Sequence, residues 1–138
     1  MHRTASILCL GMITGAVLGV IGAQTLRAQQ PAESRKVLVT QDLEGIDGYE
    51  IRIWRTHIGP GVIGQKHYHP GTECNYVLAG TLILEKGGEQ PVTLKAGDAQ
   101  CARPRQVLVP KNASTTEPYE SVVVMIAPKG QPLAVPVK

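Results

Sequence analysis

The chain has no phenylalanine, one tryptophan and four tyrosines among its 138 residues. Its lysines and arginines nowhere gather into a stripe with aromatics between them, so no nucleic-acid partner is expected. Helical periodicity is also missing: beyond the first 28 residues no stretch repeats apolar side chains every 3.6 residues, which argues against a helical bundle or an α/β fold. Charge of one sign is scarce as well. The formal net charge of +3 comes from 14 Lys and Arg against 11 Asp and Glu. Arg3 and Arg27 belong to an N-terminal targeting segment, so the remainder carries 12 basic and 11 acidic side chains, and its apparent basicity is partly a targeting effect.

Only one long uncharged run is present, from Thr4 to Leu26, behind the short basic head His2-Arg3 and ahead of Leu26-Arg27-Ala28. This order is that of an export signal, with cleavage expected after Ala28. The run is also long enough to span a bilayer as an uncleaved anchor, although its glycines, threonines and Gln24 dilute it. In both readings the domain lies outside the cytoplasm, periplasmic or secreted, and a membrane is a partner only if the segment stays attached. Residues 29–36 read as a polar linker and residues 37–138 as a single domain, since the 110 residues after Ala28 suffice for one core. Of three cysteines, Cys9 leaves with the signal. In an oxidising compartment Cys74 and Cys101 either pair or remain two inert buried thiols, depending on an approach of their Cα atoms that sequence does not fix.

Short strands fill the remainder: Val37 to Thr40, Glu50 to Ile58, Lys66 to Tyr68, Asn75 to Ala79, Thr81 to Glu85, Val92 to Lys95, Ala99 to Ala102 and Ser121 to Ala127. They are punctuated by Asp47-Gly48, Gly59-Pro60-Gly61, Gly87-Gly88, Gly97-Asp98 and Lys129-Gly130. Many short strands with regular turns predict an all-β barrel or sandwich.

The segment from Gly61 to Gly80 carries the chemistry. Side chains two apart on a strand share a face, so His67 and His69 look the same way while Tyr68 looks the other. Pro70-Gly71 turns the chain and lets Glu73 return its carboxylate to the same place. Two imidazoles and one carboxylate form a ligand set for a divalent metal such as iron, manganese, nickel, copper or zinc. Gly61, His67, His69, Glu73 and Gly80 also fall at the offsets of the first signature motif of the cupin superfamily, which this chain resembles. The resemblance implies a double-stranded β-helix (jelly-roll) barrel, dioxygenase, isomerase or lyase chemistry at the metal, and pairing as a homodimer. It also implies a fourth ligand, a histidine four residues before Asn112. This chain has Leu108 there, so the site begins one ligand short.

Other readings follow from the same residues. His57 replaces the missing ligand only if its face of the strand lines the barrel interior. Leu108 either excludes the ion or shapes a pocket for a small apolar group, and Arg103 and Arg105 either offer charge to a carboxylate near its mouth or, as the more ordinary reading, are solvated charges beside Pro104. A metal-free barrel that binds a small molecule or serves as a structural or dimerisation module is the alternative. Gly61 and Gly80 are expected at turns with positive φ or close backbone approach, Tyr68 and Tyr76 in packing roles, and Asn112-Ala113-Ser114 as a turn rather than a glycosylation site.

Overall fold

The computed structural model describes residues 32–138. The expected signal over residues 1–28 lies outside the described residues. Ten strands follow one another without a helix among the described residues: β1 (Glu33–Asp42), β2 (Tyr49–Ile58), β3 (His67–Tyr68), β4 (Thr72–Ala79), β5 (Thr81–Lys86), β6 (Val92–Lys95), β7 (Ala99–Ala102), β8 (Val107–Asn112), β9 (Tyr119–Pro128) and β10 (Val135–Pro136). They form two five-stranded sheets, β1-β2-β9-β4-β7 and β10-β3-β8-β5-β6, antiparallel at every pairing. The all-β jelly-roll expectation holds.

Period-two alternation closes the sheets over a common interior. Along β9, Tyr119, Ser121, Val123, Met125 and Ala127 are buried while the residues between them are more exposed. Two apolar clusters result, one around Ile58, Val77, Leu82, Leu84, Leu108 and Tyr119, the other around Trp54, Val123, Met125 and Ala127. Each such large side chain contributes about 1.5–3 kcal/mol by leaving water.

Two strands escaped the sequence reading, and both contain proline. Pro110 sits within β8, where its carbonyl accepts a hydrogen bond from the Gly64 N–H at 2.8 Å. Its missing donor would point toward that same side, beyond the two-residue β3, so no ladder bond is lost there. β10 is equally short and pairs with β3. At the other end, β1 starts at Glu33, so residues 33–36, expected as linker, are strand.

Gly61 and Gly80 adopt φ of 68° and 78°, as expected, and a Cβ on Gly80 would stand 2.4 Å from the Pro118 carbonyl oxygen. Asn112 ends β8 as a buried clasp. The two hydrogens of its amide nitrogen are shared among the carbonyls of Ile58, Gly59 and Glu117 at 3.0, 3.0 and 2.9 Å, and its oxygen accepts the Ser114 N–H at 2.9 Å. Replacing Asn112 by Ala would strand several buried carbonyls, so Asn112→Ala is expected to cost about 2–3 kcal/mol and to lower the melting temperature by about 10–20 °C. A thermal melt that moves by less than about 3 °C would show the clasp to be dispensable.

Candidate metal centre

β3 and the turn after it bring His67 and His69 to one side of the interior, both buried, with Tyr68 directed away. β4 runs back along β9 and β7, placing Glu73 in the same cavity while Cys74 faces the other side. The cavity has a volume of about 50 Å³. Gly71 makes the return possible, since a Cβ there would lie 2.0 Å from the Ile126 carbonyl oxygen.

The two imidazoles are held by their backs. His67 Nδ1 lies 2.6 Å from the Gln65 carbonyl oxygen, and His69 Nδ1 lies 2.6 Å from that of Leu133. A carbonyl only accepts, so each Nδ1 carries the hydrogen and each Nε2 is left with a free lone pair. These two Nε2 atoms face one another at 3.2 Å, with the rings near perpendicular. Burial pulls the His67 pKa down and lowers that of His69 to about 4, and the positive charge of Arg35 acts in the same direction on both. A proton shared between the nitrogens is therefore disfavoured near neutral pH. Two nitrogens bound to one ion at about 2.0–2.1 Å stand about 2.8–3.4 Å apart for octahedral to tetrahedral angles, a range that includes the observed separation. The pair fits a divalent cation.

Glu73 is buried with its carboxyl pushed up to about 7, chiefly by desolvation, with Lys86 and Arg35 opposing. Among the described residues no three His, Cys, Asp or Glu side chains already form a metal-holding group, so Glu73 would have to close on the histidine pair by side-chain rotation. Leu108 pairs directly with His67 across β3 and β8, is 3% exposed and lines the cavity. The position that the resemblance assigns to a histidine does face the site.

Two readings that the sequence left open are settled, and one expectation needs correction. His57 projects from the opposite face of β2 to Trp54, Thr56 and Ile58, which line the cavity, and rests 3.8 Å from Glu120; it cannot replace the missing ligand. Arg103 and Arg105 do not line the cavity. Arg103 is at the surface beside Glu89, and Arg105, with φ of 63°, reaches the site only through its backbone N–H, which donates to the His69 carbonyl at 2.9 Å. Tyr76, expected to pack, is exposed.

Other cavity residues carried no sequence signal. Arg35, from the stretch expected as linker, lines the cavity and pairs with Glu33 at 2.6 Å. Tyr119 accepts a hydrogen bond from the Asn75 amide at 2.9 Å. Trp54 packs its indole 5.8 Å from the His69 ring and donates its N–H to Thr56 Oγ1 at 3.1 Å. Outside the cavity, Cys74 and Cys101, whose pairing the sequence left open, stand opposite one another on β4 and β7 and form a disulfide, Cα atoms 4.0 Å apart.

Residues 54–125 match the Cupin domain family. The structure is similar to an uncharacterized conserved protein with a double-stranded β-helix domain from Klebsiella pneumoniae subsp. pneumoniae MGH 78578, at 28% identity over 81% of this chain and 90% of that one, TM-score 0.59. It is also similar in fold to the DMSP lyase DddQ from Ruegeria pomeroyi DSS-3, at 18% identity over 84% of this chain and 57% of that one, TM-score 0.62. An oxalate oxidase in complex with the substrate analogue glycolate shares 19% identity over 80% of this chain and 58% of that one, TM-score 0.60. No curated protein matches the chain. With just over half its length on the family's pattern, and that pattern folded as a double-stranded β-helix, the chain belongs to the cupin family.

Proposed function

We propose that this protein is an exported single-domain cupin that binds a divalent metal through His67, His69 and Glu73 and presents it to a small-molecule ligand or substrate. The observation that carries the reading is the pair of Nε2 lone pairs facing each other at 3.2 Å, each fixed by a backbone carbonyl behind its ring. Neutral lone pairs aimed at one point repel unless a cation stands between them. When bound, the metal supplies Lewis-acid or oxygen-activating chemistry at its open positions. The chain's own residues do the rest: the carbonyls of Gln65 and Leu133 keep the imidazoles oriented, and Leu108 closes one side against water. The Cys74–Cys101 bridge supports a periplasmic or secreted location, since such bonds persist in oxidising compartments. The similar folds of a DMSP lyase and an oxalate oxidase support a search for lyase and oxygenase activity.

Elemental analysis of protein purified without chelators or a histidine tag tests the reading. About one equivalent of iron, manganese, nickel, copper or zinc is expected, lost in His67→Ala. Protein that remains empty after reconstitution would instead favour a metal-free cupin that binds a small molecule or acts as a dimerisation module, a reading that the apolar Leu108 supports. Leu108 also permits a gain-of-function check. Leu108→His adds an imidazole opposite His67, and competitive titration is expected to show metal affinity rising about 10-fold or more. Unchanged affinity would mean that position 108 does not reach the ion.

A further inference from the structure

The cavity holds more polar groups than the metal ligands require, and several have no partner. The side-chain oxygen of Asn75, a residue only 9% exposed, makes no hydrogen bond, and neither end of the Gln100 amide does. All line the cavity with the histidine pair. Buried amide atoms left without partners are costly, and they are retained where a ligand supplies the missing bonds. The same cavity contains one arginine, Arg35. Its guanidinium meets Glu33 through one nitrogen at 2.6 Å, and its positive charge is felt at His67, His69 and Glu73.

We propose that Arg35, with the side-chain amides of Gln100 and Asn75, forms a subsite for a small hydroxy acid, the guanidinium taking its carboxylate and the amides its hydroxyl groups. The inference names the ligand class of the metal site proposed above and rests on that reading. Geometry supports it. Glu33 meets the guanidinium through one nitrogen, which leaves donors of the fork for a second carboxylate. An arginine fork is the side chain best matched to a planar carboxylate. The unpartnered Asn75 oxygen can only accept, so it calls for a donor such as a hydroxyl, while the Gln100 amide offers both a donor and an acceptor. A neutral polyol would leave the guanidinium's remaining donors without a carboxylate, and a plain carboxylic acid would leave the amides unpaired.

Glycerate, propionate and glycerol separate these features at nearly constant size. Each would be titrated into the purified protein, metal-free and zinc-loaded, with binding followed by NMR at the side-chain signals of Arg35, Gln100 and Asn75. Glycerate is expected to bind more tightly than propionate, with glycerol weakest. Arg35→Gln is expected to weaken glycerate at least 10-fold while leaving zinc content unchanged, and Arg35→Lys, which keeps the charge but loses the fork, to fall between. Gln100→Ala is expected to weaken glycerate but not propionate. Because Arg35 lies on an edge strand, unchanged thermal midpoints accompany a specific loss. Glycerol binding as well as glycerate, glycerate binding unaffected by Arg35→Gln, or no glycerate binding in either preparation overturns the subsite. If zinc is retained while the subsite fails, the metal reading stands alone. If zinc is not bound yet glycerate binds in an Arg35-dependent way, the metal reading fails and the subsite survives.

Discussion

Reduction of the Cys74–Cys101 bridge is expected to lower the stability of the folded protein by about 3.5 kcal/mol, the loop-closure entropy associated with its 27-residue separation. The melting temperature should fall by about 15–25 °C. The magnitude follows from where the bond sits. β7 is the last strand of its sheet and hydrogen-bonds only to β4, so without the bridge it is held by four ladder positions. Gln100 lies among those positions and reaches into the cavity, so fraying of β7 removes a cavity wall as well as stability. Urea unfolding with and without reductant measures the effect, and Cys74→Ala with Cys101→Ala separates the loss of the bond from side reactions of the reductant. A midpoint unchanged by reduction would mean that the β4–β7 ladder needs no covalent support.

The second large effect is a dependence on pH that one carboxyl imposes. In metal-free protein the Glu73 carboxyl is pushed up to about 7, against 4.5 in the unfolded chain. Between those values the folded protein holds a proton that the unfolded chain has released, so stability falls as pH rises, by about 3 kcal/mol in all. His69 acts in the opposite sense. Its folded pKa is about 4 against 6.5, so the unfolded chain binds the extra proton and stability rises with pH across that window, with His67 adding to the rise. The two slopes oppose one another in the unaltered protein. Glu73→Gln removes only the falling one. The stability of Glu73→Gln relative to the unaltered protein is therefore expected to increase by about 3 kcal/mol from pH 4.5 to pH 8. Chemical denaturation in the presence of a chelator at pH 4.5, 6 and 8 checks this, and a difference independent of pH would show that Glu73 is already ionised in the fold. Excess divalent metal should erase the dependence, because coordination stabilises the carboxylate.

The part of the site legible in the sequence is the part set by local geometry. Strand alternation placed His67 and His69 together and turned Tyr68 away, the spacing from Gly61 to Gly80 carried the fold, and the offset from Asn112 carried the place of Leu108. Where a reading depended on which strands become neighbours, it was left open or failed. The faces of β2 were separated correctly, yet only the pairing with β9 assigns Trp54, Thr56 and Ile58 to the interior and His57 to the outside. The disulfide needed the β4–β7 register. Arg35 was hidden because a run of polar residues beside an export segment reads as linker, although those residues complete an edge strand against β2. β8 was hidden by Pro110, which is tolerated where the neighbouring strand is too short to need its donor. Asn75, Gln100 and Tyr119 lie on three strands that meet only in the folded barrel.

The contact between Trp54 and His69 has an optical consequence. The chain contains a single tryptophan, and that indole lies 5.8 Å from an imidazole proposed to carry the ion. All of the tryptophan emission therefore arises beside the site, without a background from elsewhere in the protein. A cation settling on His69 changes the charge and the electronic character of the nearest aromatic neighbour, and iron, copper or nickel would quench where zinc would not. The intensity and colour of the intrinsic fluorescence thus form a built-in, label-free gauge of occupancy, able to follow loading and release in real time and to sort the arriving ions by their spectroscopic type.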